Sequence, residues 1–376
     1  MFFSFLTKDR LASLDDILSV LESDENISLS KNLSLDKAII QKISKSMDPF
    51  NRSRLDYKIQ NISMLACDES VEPLTRVLRS IKKFNRMSES EVITPSKVCD
   101  EMVGLLPEES LKEIVSNQDK LLDIASKSGE YAVALYKRLT SELGYLHGDV
   151  KDIIYSIPTS SIAYEFTRRF YEILDLNVEN IASKFNAYDL VKIKNDKDEV
   201  DYEKISGILK QNKKFSNITL QDEVKVGDKK VNFAAVIGNP PYQKIISKEK
   251  SNSSLSKQLF PYYTILSMKI SSNLSSLIIP ARWFTGDAQD KSFLKLREFL
   301  KDENTLSDLY YYEDTNSIFN HVEIKGGICH FLSSSNHIGD INFVKVLEEK
   351  NLNEAKFILK RFRYSPNWWN TIQCLE

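Results

Sequence analysis

Cysteine is scarce in this 376-residue chain: Cys67, Cys99, Cys329 and Cys374 stand far apart, with no CxxC pair and no spacing shared with the four histidines. That scatter excludes a zinc ribbon and a disulfide framework, so the four are read as reduced thiols. Long apolar runs are also missing. The opening MFFSFLTKDR is apolar for only a few positions before charge appears, which indicates neither a signal peptide nor a membrane span and makes a cytoplasmic location the expectation. No GxxxxGK[ST] phosphate loop occurs, so an ATP-driven motor is not expected in these residues. A dominant charge is lacking too, with 51 Lys and Arg against 53 Asp and Glu for a formal net charge of −2. This balance neither requires nor forbids nucleic acid, because phosphate contacts need only a local basic surface. Any case for DNA must come from motifs.

What is present is ordinary globular composition, 42% apolar and 28% charged, in a chain long enough for one α/β domain with appendages. Residues 1–88 show helical spacings such as Leu14-Ile17-Leu18-Leu21 and Val71-Leu74-Val77-Leu78-Ile81, which predict a helical N-terminal region. Lys82, Lys83 and Arg86 read as its solvated end. From about residue 90, short apolar runs alternate with amphipathic segments. Strands are expected at Lys120 to Ile124, Asp152 to Ile157, Ala234 to Ile237, Ser276 to Ile279, Ser307 to Tyr312 and Gly327 to Leu332. Helices are expected at Lys97 to Leu105, Glu130 to Glu142, Ser161 to Leu174, Leu259 to Ile270 and Lys291 to Lys301. The alternation predicts an α/β fold with a mostly parallel, doubly wound sheet. The Lys/Asp/Asn-rich stretch from about 194 to 231 reads as an insertion with a hairpin at Ile218 to Val231, turning at Val226 to Lys229. Its Glu223-x-Lys225 is read as part of that hairpin, not as nuclease metal chemistry. After about 345 comes a basic, aromatic stretch with Lys356, Lys360, Arg361, Arg363, Phe357, Phe362, Trp368 and Trp369. Adjacent tryptophans normally need something to pack on, so residues 346–376 are expected to begin a C-terminal or target-recognition region that continues in a longer protein.

The sharpest signal is Asn239-Pro240-Pro241-Tyr242, which leaves the apolar run Ala234-Ala235-Val236-Ile237 through Gly238. An exocyclic aromatic amine is a poor nucleophile because its lone pair is delocalised into the ring. An enzyme must accept its hydrogens and draw the nitrogen toward tetrahedral geometry. The Asn239 side-chain oxygen and the Pro240 carbonyl suit that task, the prolines restrict the backbone, and the Tyr242 ring offers a stacking face. The loop resembles the (N/D)PP(Y/F) motif of the amino-methyltransferases, in particular the γ-class adenine-N6 DNA methyltransferases of type II restriction-modification systems, including fused restriction and methylation enzymes.

Upstream, Leu121-Leu122-Asp123-Ile124-Ala125-Ser126-Lys127-Ser128-Gly129-Glu130-Tyr131 reads as a strand, a small-residue turn and a helix whose N-terminus offers N–H donors to a ligand carboxylate. It resembles the family's D-x-A-x-G-x-G segment, with Asp123, Ala125 and Gly129 in register and Lys127 in place of the first glycine. Thr94-Pro95 before a helix is a helix start by itself and resembles the family's threonine-proline segment. After the strand around Ile153 to Ile157 the family usually carries an acid for ribose, where this chain has Pro158-Thr159-Ser160-Ser161, so that contact is unassigned. Asp189 falls where the family reads the cofactor's adenine amine, and Phe319 is the candidate second aromatic against an extruded base. The segments keep the γ order from about 86 to 335.

The resemblance implies a Rossmann-like class I methyltransferase domain over 89–345 with S-adenosyl-L-methionine as cofactor, no metal, and double-stranded DNA as substrate. Its catalytic residues would be Asn239, Pro240, Pro241 and Tyr242, and its cofactor residues Thr94, Pro95, Asp123, Ala125, Gly129 and Asp189. Tyr242 and Phe319 would stack on the base, which must leave the duplex to be reached, and a restriction or specificity subunit is an expected further partner. Two alternatives stay open. The fold could serve a non-catalytic or partner-dependent DNA-binding subunit, recommended by Lys127 and the missing ribose acid, or an N-methyltransferase acting on RNA or protein glutamine.

Overall fold

The computed structural model describes residues 1–84, 92–224, 230–245, 256–319, 324–351 and 354–364. Six helices open the chain: α1 (Phe2–Leu6), α2 (Leu14–Val20), α3 (Ile27–Asn32), α4 (Lys37–Ser46), α5 (Pro49–Cys67) and α6 (Pro73–Lys83). Their starts follow from local chemistry. Ser13 forms a capping box with Asp16, while Asp36, Asp48 and Glu72 accept from the first backbone N–H groups of α4, α5 and α6. The predicted apolar spacings are the buried faces, with Leu14, Ile17 and Leu21 in one and Val77 and Ile81 in the other. Lys82 and Lys83 lie in the last turn of α6, and Arg86 is outside the described residues.

After α7 (Ser96–Gly104) and α8 (Glu108–Asn117), the chain alternates β1 (Lys120–Ser126), α9 (Glu130–Lys137), α10 (His147–Val150), β2 (Ile154–Pro158) and α11 (Ser161–Leu174). The predicted helix Glu130 to Glu142 is α9 continued by a π-helical turn, Arg138–Glu142. Next come α12 (Ala187–Leu190), α13 (Tyr202–Leu209), β3 (Phe233–Gly238), the short strands β4 (Gln243–Ile245) and β5 (Ser256–Gln258), and α14 (Phe260–Ile270). The remainder is β6 (Leu274–Pro280), α15 (Ser292–Glu303), β7 (Leu306–Tyr312), β8 (Ile328–Ser334), β9 (Ile341–Asn351) and β10 (Glu354–Tyr364).

Among the described residues the main sheet has eight strands in the order β10-β9-β7-β8-β6-β3-β1-β2. β2, β1, β3 and β6 run parallel, β8 is antiparallel to both β6 and β7, β9 is parallel to β7, and β10 returns antiparallel. Beyond β2 a further parallel neighbour is reduced to the single bridge Ser156↔Ile181, with Ala182 N donating to Ser156 O at 3.0 Å. Both faces are covered, so the strands are apolar nearly throughout, as parallel sheets require. On one face Leu121, Ile154 and Ile278 join α7, α9, α11 and the N-terminal helices; on the other Leu122, Val236 and Leu277 join α13, α14 and α15. The N-terminal region shares its core with the sheet domain. Phe5 stacks on Phe166 of α11 with ring centroids 5.8 Å apart, Phe84 meets both, and Arg169 Nε donates to Phe5 O at 3.3 Å.

One expectation changes. Ile218 to Val224 forms no strand: Lys230 bridges Gln211 instead, and Val231 N donates to Lys210 O at 2.7 Å. Buried Ile218 and Phe215 draw this stretch into the core beneath α13, leaving no second strand for 230 and 231 to pair with. The turn Val226 to Lys229, and Lys225 with it, lie outside the described residues. The basic, aromatic stretch after 345 is largely the hairpin of β9 and β10, which β7 draws onto the sheet edge through pairs such as Asp308↔Asn342. Trp368, Trp369 and Cys374 lie outside the described residues. Cys67, Cys99 and Cys329 are free thiols. Among the described residues no helix is long and apolar enough to cross a membrane.

Candidate active site

The carboxyl ends of parallel strands, where the order reverses, are where open α/β sheets bind ligands. Here β1 and β3 are neighbours and their chains depart to opposite faces. β1 ends in the tight turn Ser126 to Gly129. Ser126 Oγ accepts from Gly129 N at 2.8 Å and meets Thr167 Oγ1 at 3.0 Å, which ties the turn to α11. Gly129 has φ +84, and a Cβ there would lie 3.5 Å from Thr167 Cγ2, so the turn calls for glycine on backbone grounds. Glu130, 2% exposed, accepts through Oε2 from Ser128 N at 2.8 Å and from Ser128 Oγ at 3.2 Å. The turn's N–H groups at 128 and 129 are therefore engaged by the chain itself, just ahead of the N-terminus of α9 at Glu130. A glutamate in the first turn of α9 competes for the same donors.

Asp123, on β1, is fully buried. Oδ1 accepts weakly from Ala125 N at 3.4 Å, and Oδ2 has no hydrogen-bond partner. Burial first, then the Glu130 carboxylate, holds its carboxyl well above the usual range; bonding from Ser126 and Ala125 and the Lys127 charge pull the other way. Lys127 is itself only 6% exposed, so its ammonium stem lies in the turn, where the family has glycine. Ala125 is buried beside Asp123.

At the end of β3, Gly238 brings its backbone against Asp123, since a Cβ there would sit 3.4 Å from Asp123 Oδ1 and 3.3 Å from Ile124 Cγ2. Asn239 follows, 2% exposed. Its Nδ2 donates to Thr94 Oγ1 at 3.0 Å, and its Oδ1 is buried without a partner. Thr94 is fully buried and also bonds the Tyr131 hydroxyl, while Thr94 O accepts from Cys99 Sγ at 3.7 Å. Pro95 caps α7, its carbonyl accepting from Val98 N and Cys99 N at 2.9 and 3.1 Å. Three segments separate in sequence, at 94–95, 123–131 and 238–239, thus converge. Tyr242 is half-buried against the α14 face; its hydroxyl is buried with no partner, and burial pushes it well above the usual tyrosine value.

The other candidates lie on other segments. Asp189 lies in the first turn of α12, accepting from Asn186 N at 3.0 Å and pairing with Lys192 Nζ at 2.6 Å. It follows no strand, and both its oxygens are engaged. The neighbouring Asn186 keeps Oδ1 buried without a partner, a residue the sequence did not single out; its place at a helix N-cap three residues before Asp189 was the only signal. Phe319 is 3% exposed and belongs to the apolar cluster of the α7 face, with its N donating to Thr315 O at 2.8 Å. After β2, Thr159 N donates to Ser126 O at 2.9 Å and Ser160 Oγ caps α11, so this corner offers hydroxyls and no carboxylate.

Buried oxygens without partners are costly unless a ligand supplies donors or positive charge. Asp123 Oδ2, Glu130 Oε1 and Asn239 Oδ1 form such a set around one turn. It suits a cationic ligand carrying an ammonium or sulfonium group.

Residues 152–319 match the family model described as Eco57I restriction-modification methylase. Over 107 residues the chain is 32% identical to an uncharacterized adenine-specific methylase of Mycoplasma pneumoniae, covering 28% of this chain and only 25% of that protein. The fold is similar to the methyltransferase subunit of a type I restriction-modification system from Streptococcus thermophilus, with a TM-score of 0.50, 12% identity, and 93% of this chain and 72% of that one covered. It is also similar to the DrdV protein solved with DNA, with a TM-score of 0.50, 11% identity, and 94% and 39% covered. Residues 152–319 are therefore similar to the Eco57I restriction-modification methylase family, and the sheet has the Rossmann-like fold that the methyltransferase subunit shares.

Proposed function

We propose that this chain transfers a methyl group from S-adenosyl-L-methionine to the N6 amine of an adenine extruded from duplex DNA, as the methyltransferase part of a restriction-modification enzyme. The observation that carries the reading is Asn239: its amide is held by Thr94 while its oxygen, buried and without a partner, waits at the end of β3. Asn239 Oδ1 and the Pro240 carbonyl accept the two amine hydrogens, which localises the lone pair on nitrogen. Pro240 and Pro241 hold both acceptors at little ordering cost. The half-exposed Tyr242 ring takes the base face, with Phe319 as the proposed second wall. Asp123, Glu130 and the turn at Ala125 to Gly129, with Thr94 and Pro95 behind them, would hold the cofactor, and Asn186 Oδ1 or Asp189 would accept from its adenine amine. When bound, the cofactor supplies an electrophilic methyl group whose sulfonium charge is neutralised on transfer. The residues named here orient the amine and exclude water, and one of the two amine protons leaves to solvent as the nitrogen takes the methyl group.

The test is transfer of labelled methyl from S-adenosyl-L-methionine to duplex DNA, with the product base identified by mass spectrometry. N6-methyladenine formed by the parent chain and lost in Asn239→Ala supports the reading. Label appearing in RNA or protein and not in DNA sinks it. A second reading, a partner-dependent subunit, is favoured by Lys127, whose buried side chain fills the turn beside Asp123. Calorimetry separates the two, since that reading requires cofactor binding to be absent in the parent and restored by Lys127→Gly.

A further inference from the structure

Beside the catalytic loop, on the α14 side, lies a cavity of ≈ 290 Å³ walled by Val191, Val200, Leu259 and Tyr262. Three lysines reach it: Lys192 and Lys194 from the segment after α12, and Lys257 from β5. The cavity is tied to the loop by backbone. Leu259 N donates to Tyr242 O at 2.9 Å, and β4, which begins directly after Tyr242, pairs with β5 through Lys244↔Lys257.

The charges here are unequally compensated. Lys192 is engaged by Asp189 at 2.6 Å. Lys194 and Lys257 instead place their ammonium nitrogens 5.8 and 5.1 Å from the centroid of one ring, Tyr262, whose hydroxyl donates to Asp290 at 3.1 Å. Burial first, and then the Lys257 charge, lowers the Lys194 ammonium's pKa; Asp198 and Glu199 oppose this, and Glu199 is paired with Lys295 at 2.7 Å. Two like charges beside one aromatic ring, near enough for the Lys257 charge to lower the Lys194 pKa, are relieved by an anion that reaches both. Ammonium groups act as point charges, which suits the diffuse charge of a phosphate diester, and the walls are apolar enough to accept a sugar edge.

We infer that this cavity seats a backbone phosphate of the DNA strand beside the extruded adenine, held by Lys194 and Lys257. The inference rests on the DNA reading proposed above. Such a contact positions the strand against Tyr242 without reading its sequence.

The test uses the full chain and a Lys194→Gln/Lys257→Gln variant, with fluorescence anisotropy of a labelled duplex over a salt series and calorimetry of S-adenosyl-L-methionine. The expected result is a slope of log affinity against log salt that is shallower by about 1 to 2. Duplex affinity at low salt should drop by about fivefold or more, equally for unrelated sequences, with cofactor affinity unchanged. An unchanged slope while the parent binds DNA normally overturns the phosphate site and leaves the methyltransferase reading standing. A cofactor affinity that falls with the variant also overturns it, by assigning the cavity to the cofactor. Binding of inorganic phosphate that the variant loses while its DNA slope is unchanged assigns the site to a small free anion and overturns it as well. A parent chain that binds no duplex at any salt sinks this inference together with the DNA reading.

Discussion

Asn239 Nδ2 donates to Thr94 Oγ1 across 3.0 Å and 145 residues of chain, so the residue proposed to grip the amine is oriented by a hydroxyl from the segment that leads into α7. Replacing Thr94 with valine keeps the volume and removes the acceptor. A misplaced catalytic acceptor costs up to about a hundredfold in rate, and the freed amide is left buried and unpaired at about 1–3 kcal/mol. We expect Thr94→Val to lose roughly ten- to a hundredfold in methylation rate with duplex affinity unchanged, and Thr94→Ser to recover most of it. Single-turnover methylation beside anisotropy measures both.

Tyr242 separates ring from hydroxyl. The hydroxyl is buried without a partner, so Tyr242→Phe removes a desolvated polar group and should raise the melting temperature slightly or leave it unchanged while retaining methylation. Tyr242→Ala removes the stacking face, worth about 1–3 kcal/mol per base, and should weaken binding of an extruded or mismatched adenine by roughly tenfold or more.

Gly129 is a backbone requirement, with φ +84 and Thr167 Cγ2 standing 3.5 Å from any added Cβ. Gly129→Ala is expected to cost about 1 kcal/mol or more, seen as a lower denaturation midpoint with an unchanged m-value. An unchanged midpoint would mean the turn relaxes freely.

Two buried groups should give opposite pH dependences. Asp123 has a raised pKa, so its contribution to stability is full below the ordinary aspartate value of about 3.9 and is lost as pH rises through its elevated value. Asp123→Asn should therefore melt higher than the parent at neutral pH, with the gap closing toward pH ~4, while losing cofactor binding. His330, on β8, has its pKa lowered to about 3 by burial. Its contribution is full above the ordinary histidine value of about 6.5 and is lost as pH falls from there through the lowered value. The slope of melting temperature against pH over that window should be shallower in His330→Gln than in the parent, whatever the two absolute values.

Much of the core was legible in residue order. The runs at Lys120, Ile154, Phe233, Leu274, Leu306 and Ile328 became strands within one or two residues of expectation, and Ser161–Leu174 is a helix with the bounds its spacing predicts. Buried parallel strands are near-continuous apolar runs and amphipathic helices keep a period, so both survive any rearrangement of partners. The hairpin after 341 was not legible, because its charged and aromatic residues gain strand character only by pairing with β7.

The chemistry divides the same way. Sequence alone determined the Asn239-Pro240-Pro241-Tyr242 loop at a strand end and the small-residue turn after β1, because strand-to-loop order and proline restriction are local properties. Only the tertiary structure decided that Thr94 orients Asn239, and only the folded backbone decided that Glu130 takes the Ser128 N–H and that Asp189 is engaged by Asn186 and Lys192. Each of these depends on which hydrogen-bonding group lies nearest in space, and an engaged oxygen and a waiting one are the same letter in the chain. Packing settles which is which, since a buried acceptor takes whatever donor the fold brings to within about 3 Å and keeps its lone pair for a ligand when none arrives.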